Sequence, residues 1–194
     1  AVQPIVDARS RQVVGYELLG RANHPQLPTS PIELFGLAEA MGREVDLSLA
    51  FREFGLGKMA PRVAGNTLFI NAHPKETFCD SFIESLARLR QRSPEMSIVV
   101  EIHESAVTDV EQLRKLANRL LQLDIRFAYD DFGAGQARLL ELADVPAHFV
   151  KFDRSLIHGI HAASERKRQV VRDLVQMVLA TGSIPLAEGV EDEE

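Results

Sequence analysis

The feature that most restricts the fold is a rhythm of short apolar runs, each closed by a polar residue and followed by a helical stretch. The runs are AVQPIVD (1–7), VVGYELL (13–19), TLFINA (67–72), SIVVEIHE (97–104), IRFAYDD (125–131), HFVKFD (148–153) and IPLAEGVE (184–191). Strands this apolar, separated by helices, are buried on both faces, which is the pattern of a mostly parallel sheet. The order predicts an α/β protein, either a doubly wound sheet or a (β/α)8 barrel.

The helical stretches carry their own punctuation. Ser30, Pro31 and Glu33 form a capping-box start for a helix over 30–41, and Thr108 with Glu111 form a second. Phe78, Phe82, Leu86 and Leu89 recur at helical spacing within 75–92, as do Val110, Leu113, Ala117 and Leu120 further on. ARLLELA (137–143) reads as a short helix, and the helix that follows Ser164 is one that Gly182 can end. With no internal repeat, linker or low-complexity tract, residues 1–194 are read as a single domain.

Charge and cysteine usage narrow the partners. A formal net charge of −6 argues against a nucleic-acid polymer or an anionic membrane, while leaving room for a small anion neutralised by metal ions. Cys79 is the only cysteine, which excludes an internal disulfide and a thiolate zinc cluster and fits a reducing, cytoplasmic setting. Its apolar neighbours predict a partly buried structural thiol. No run approaches the roughly 18 apolar residues of a spanning helix, so no membrane segment is expected in this chain.

The polar residues that close the runs are Glu17, Asn71, Glu101, the pair Asp130–Asp131, Lys151 and Glu188. A charged strand end is weak evidence by itself, because strand ends are often exposed. Six strands placing a functional group at the same end are another matter, because that end of a barrel is where active sites are built. The set is rich in carboxylates, with one carboxamide and no thiolate, which suits hard cations such as Mg²⁺ or Mn²⁺. Adjacent aspartates make sense if they share two metal ions, an arrangement suited to in-line displacement at phosphorus. Lys151 could then orient the attacking water, and Arg21 could pair with a phosphate oxygen.

These motifs resemble the EAL domain, a family of cyclic di-GMP phosphodiesterases. The resemblance is carried by GYELLGR (15–21), FINAHP (69–74), VVEIHES (99–105), DDFGAG (130–135), VKFDRSL (150–156) and AEGVED (187–192), and runs nearly the whole chain. It implies an EAL-type TIM-like barrel whose first strand is antiparallel to the rest, and hydrolysis of cyclic di-GMP to linear pGpG. It further implies that Glu17, Asn71, Glu101 and Asp130 hold one ion and that Asp131 and Glu188, with Asp130 bridging, hold the second. Glu17, Asp131 and Lys151 are the implied catalytic set, and Gln3, Arg21 and Asp153 the implied substrate contacts. Glu104 matches a residue that braces the loop after DDFG, which in the family links metal binding to dimerisation, so a homodimer is expected. Sensory or signalling domains are expected elsewhere in the full protein. The family would add an eighth strand and a last helix, so the chain is expected to be a fragment of a longer protein.

Three motifs depart from the family pattern: Leu18 replaces an alanine, Ala72 and His73 replace an aliphatic residue and a serine, and GAGQAR (133–138) replaces GTGYSS. The altered loop keeps a second reading open, a catalytically silent cyclic di-GMP receptor. A third, setting the resemblance aside, is a barrel lyase with Lys151 as base. The scattered histidines form no metal set by spacing, and His73 stands out only for lying two residues after Asn71.

Overall fold

In the computed structural model the described residues are 1–59, 63, 65–134 and 139–190. They build one seven-stranded sheet: β1 (Val2–Val6), β2 (Val13–Leu18), β3 (Thr67–Ala72), β4 (Ser97–His103), β5 (Arg126–Phe132), β6 (Phe149–Phe152) and β7 (Ile184–Ala187). The strands neighbour one another strictly in chain order; β1 pairs antiparallel with β2, and every later pair is parallel. A doubly wound sheet reverses its strand order at a switch point. This one never does, so the barrel alternative is the one realised.

Helices α1 (Pro31–Ala40), α2 (Glu44–Met59), α3 (Asp80–Arg92), α4 (Val110–Gln122), α5 (Leu139–Asp144), α6 (Arg154–Ile157) and α7 (Glu165–Ala180) accompany the strands. On the helix side of the sheet, Leu68, Ile70, Ile98, Val100, Ile102 and Val150 pack with helix residues such as Phe82, Leu86, Leu113 and Val178 in the main core. The opposite face holds a second, smaller cluster of Phe69, Val99, Ala128 and Phe149, against which Ile5 and Leu186 pack. Side chains alternate along a strand, so a residue two further on faces the same way. Asn71, Glu101, Asp130, Lys151 and Glu188 each lie two residues beyond a member of this inner cluster. The inner face is thus an apolar floor with a polar layer directly above it.

β2 contributes to the floor by omission. A Cβ on Gly15 would meet the Thr67 carbonyl oxygen at 2.9 Å and the Phe69 ring at 3.1 Å. Phe69 fills that space and meets Phe149 edge-on, ring centroids 5.1 Å apart. Two residues after Gly15 stands Glu17, paired in register with Gln3 of β1.

Several local expectations are corrected. The sequence reading assigned no helix to 44–59, where α2 runs, because its buried stripe is Glu44, Ser48, Arg52 and Leu56, mostly polar. Ser30 occupies the N-cap of α1 without a side-chain cap bond. The α4 cap is Asp109 rather than Thr108, its carboxylate accepting from the Glu111 and Gln112 amides. α3 begins at Asp80 instead of near 75. Cys79, expected partly buried, is exposed at that helix start.

Candidate active site

Lys151 is the centre of the polar layer and is 3% exposed. Its Nζ lies 2.6 Å from Glu101 Oε1, 2.7 Å from Glu188 Oε1, 2.8 Å from Asp130 Oδ1 and 3.3 Å from Glu17 Oε2. The Asn71 carboxamide donates to the other Glu17 oxygen at 3.2 Å. Three other strands, β2, β4 and β5, and the residue just past β7 therefore converge on one ammonium group, and β3 joins through the Asn71–Glu17 hydrogen bond. Four carboxylates surround a single positive charge.

That imbalance is written into the acid–base properties. Burial pushes the Glu101 carboxyl well above the usual range, with Asp130 and Glu17 adding to the effect and Lys151 opposing it. Glu188 is pushed up to about 7, first by burial and then by its acidic neighbours, again against Lys151. For Lys151 burial acts downward, but Glu101, Asp130, Glu17 and Glu188 outweigh it and hold the ammonium above the ordinary lysine range.

The same atoms test whether cations fit. Although Lys151 stands at ion-pair distance, neither Glu101 oxygen nor Asp130 Oδ1 receives a hydrogen bond of normal geometry, and all three are buried. Buried carboxylate oxygens without partners cost free energy unless something positive satisfies them. Asp130, Asp131 and Glu188 each bring one oxygen to within 4.8 Å of the others. An all-oxygen donor set of this kind fits a hard divalent cation.

Asp131 is held differently from its neighbour. Its backbone is left-handed, φ 56°, an uncommon conformation for a residue with a side chain. His103 Nε2 lies 3.0 Å from Asp131 Oδ2. The hydrogen bond from His103 draws the Asp131 carboxyl below the usual range, and the same bond raises the His103 imidazole. Two residues on, the Gly133 amide donates to Glu104 Oε2 at 3.3 Å. Glu104 thus touches the start of the turn it was expected to brace; residues 135–138 of that loop lie outside the described residues.

The expected substrate contacts are more dispersed. Gln3 is exposed beside Glu17 in the β1–β2 ladder. Arg21 is exposed, donating to the Gly20 carbonyl oxygen at 2.7 Å, and lines a cleft of about 280 Å³ with Glu17, Phe35, Asn71, His73 and Asp130. Asp153 caps α6 by accepting the Ser155 amide at 2.9 Å. In the cleft wall the His73 and Phe35 rings stack, centroids 5.4 Å apart and 16° from parallel.

Behind this wall, Arg52 and Glu76 form a buried bidentate pair at 2.7 and 2.8 Å. Glu76 also accepts from Ser48 Oγ at 2.6 Å and from the His73 amide at 3.0 Å, which ties the segment after β3 to α2. Neither this pair nor His103 was singled out in the sequence. His103 had a usable signal, since it lies two residues after Glu101 on the same strand face.

A sequential TIM-barrel-like sheet with a carboxylate-rich cluster at its strand ends defines a class of barrel-type domains with a candidate site at that end. Comparison makes it specific: the family model described as the EAL domain matches residues 1–194, and the chain belongs to the EAL domain family. It is 29% identical to the probable cyclic di-GMP phosphodiesterase PdeN of Escherichia coli, over 100% of this chain and 39% of that protein. It is also 29% identical to the cyclic di-GMP phosphodiesterase RocR of Pseudomonas aeruginosa, over 99% of this chain and 50% of that one. The chain therefore spans half or less of the length of these relatives. Among solved structures, Klebsiella pneumoniae BlrP1 in complex with manganese and cyclic di-GMP matches with a TM-score of 0.85 at 26% identity. That match covers 98% of this chain and 48% of the BlrP1 chain.

Proposed function

We propose that this domain hydrolyses cyclic di-GMP to linear pGpG, using two divalent cations, Mg²⁺ or Mn²⁺. The observation that carries the reading is the buried cluster around Lys151, whose four carboxylates outnumber its one cation and whose Glu101 Oε2 has no hydrogen-bond partner among the described residues. Similarity to cyclic di-GMP phosphodiesterases and to the manganese and cyclic di-GMP complex of BlrP1 supports the substrate and the cofactor class; BlrP1 has also been solved with calcium and cyclic di-GMP. In this reading Glu17, Asn71, Glu101 and Asp130 would hold one ion, and Asp131 and Glu188 would join Asp130 in holding the second. When bound, such a pair supplies charge stabilisation at the phosphate and activates water.

The chain's own groups do the rest. Lys151, kept protonated by its carboxylate neighbours, donates hydrogen bonds to the attacking water and to the phosphate rather than removing a proton. Water adds to phosphorus, one ester P–O bond breaks, and the ribose oxygen that leaves takes up a proton. Arg21 in the cleft lining, Gln3, exposed on β1 in register with Glu17, and Asp153 beyond β6 bind the dinucleotide. A lyase with Lys151 as base loses its support, because a lysine base needs a lowered pKa and family membership points elsewhere. The same reading carries a cytoplasmic homodimer with signalling domains elsewhere in the protein.

Incubation with cyclic di-GMP and Mg²⁺, Mn²⁺ or chelator, followed by chromatography, tests the reading. Metal-dependent pGpG that disappears in Glu17→Ala is the expected result. Tight binding without product would replace the enzyme by a receptor, and turnover in chelator would overturn the cation assignment.

A further inference from the structure

We infer that His103 is a positioning residue for Asp131, fixing one carboxylate oxygen through an Nε2–H hydrogen bond so that the carboxylate faces Asp130 and Glu188 as a cation ligand. This rests on the reading of Asp131 as a ligand given above. The tautomer follows from the neighbours. His103 Nδ1 accepts the Ser105 backbone amide at 3.0 Å, and an amide can only donate. The neutral imidazole therefore carries its proton on Nε2, which lies 3.0 Å from Asp131 Oδ2. Ser105 Oγ, 2.7 Å from the same Nδ1, reinforces the orientation.

Asp131 needs such a partner. Its left-handed backbone and half-exposed side chain leave the carboxylate direction poorly fixed by packing. β4 supplies the remedy: Glu101 projects into the cluster, His103 two residues later holds the Asp131 side chain, and Glu104 holds the Gly133 amide. One strand end thus grips the Asp131–Gly133 turn at two points. His103 is not a ligand itself, since both ring nitrogens are engaged and the clustered donor atoms come from Asp130, Asp131 and Glu188. Hydrogen-bond partners of metal ligands typically contribute 10- to 100-fold in metal affinity, roughly the effect expected here.

The test is a Mn²⁺ titration of the full-length protein, followed by calorimetry and electron paramagnetic resonance without substrate. Wild type should bind two ions and Asp131→Asn should lose the weaker. His103→Ala should weaken that same ion by roughly 10- to 100-fold with the melting temperature unchanged, and His103→Gln, which keeps an N–H donor, should recover part of the loss. If Asp131→Asn loses an ion while His103→Ala titrates like wild type, the inference fails and the site reading survives. If Asp131→Asn also titrates like wild type, Asp131 is no ligand and both fall. A Gln variant as poor as Ala would overturn the hydrogen-bond role, and nitrogen hyperfine coupling on bound Mn²⁺ would make His103 a ligand instead.

Discussion

The protein holds two buried ionic clusters of opposite design. Around Arg52 the charges balance: one guanidinium meets one carboxylate in a two-pronged contact, and Ser48 and the His73 amide also donate to that carboxylate. Around Lys151 they do not, since four carboxylates share one ammonium and Glu101 Oε2 is buried with no hydrogen-bond partner among the described residues. The first cluster is balanced in charge, with Arg52 Nε its one atom buried without a hydrogen bond among the described residues, and has little to gain from an added cation. The second gains from any added positive charge, which is how a binding site differs from a structural ion pair at similar burial.

The largest contrast is expected between Glu17→Ala and Glu76→Gln. Glu17→Ala should abolish pGpG formation by chromatography while leaving the melting temperature near wild type, because the cluster loses one of several like charges. Glu76→Gln should instead leave Arg52 buried and uncompensated, costing about 3–5 kcal/mol of stability in urea unfolding. Glu101→Gln sharpens the point: burial already disfavours its charge, so in chelator this variant should unfold at or above the wild-type urea midpoint. A loss there comparable to Glu76→Gln would erase the distinction between the clusters.

Cations and protons should separate the clusters next. Mn²⁺ at about 100 times its dissociation constant should stabilise wild type by about 2.7 kcal/mol and Glu101→Gln by less, as a thermal-shift series would show. For Glu76, burial alone would raise the carboxyl, but Arg52, Ser48 and the His73 amide outweigh it and the folded pKa lies below the ordinary value. Its contribution is therefore full above the unfolded pKa, about 4.3, and lost as pH falls through the lower folded value. The stability gap between wild type and Glu76→Gln should narrow in acid; a gap constant from pH 7 to pH 3 would contradict this. The smallest effect concerns helix starts: Asp109→Ala should lower the melting temperature by a few degrees and Ser30→Ala should not, since only Asp109 caps with its side chain.

What the sequence made legible follows from strand geometry. Glu17, Asn71, Glu101, Asp130, Lys151 and Glu188 could be picked out because each closes an apolar run, and the parallel register carries them to one end of the sheet. Helix α2 was hidden because its inward stripe is polar and therefore has no hydrophobic period. The pairing of Arg52 with Glu76 spans 24 residues, and no local pattern announces it. His103 was passed over as one of several scattered histidines, although strand alternation sets it on the same face as Glu101. Asp109, one residue from the expected cap, shows how finely a helix start depends on backbone direction.

The apolar floor of Phe69, Val99, Ala128 and Phe149 has a consequence for traffic. These side chains are 0–8% exposed and fill the inner face directly beneath the polar layer. These four side chains block passage to the cluster from below, while the cleft lined by Glu17, Asn71 and Asp130 opens on the strand-end side. An ion or solute that meets the polar layer therefore comes to it over the strand ends.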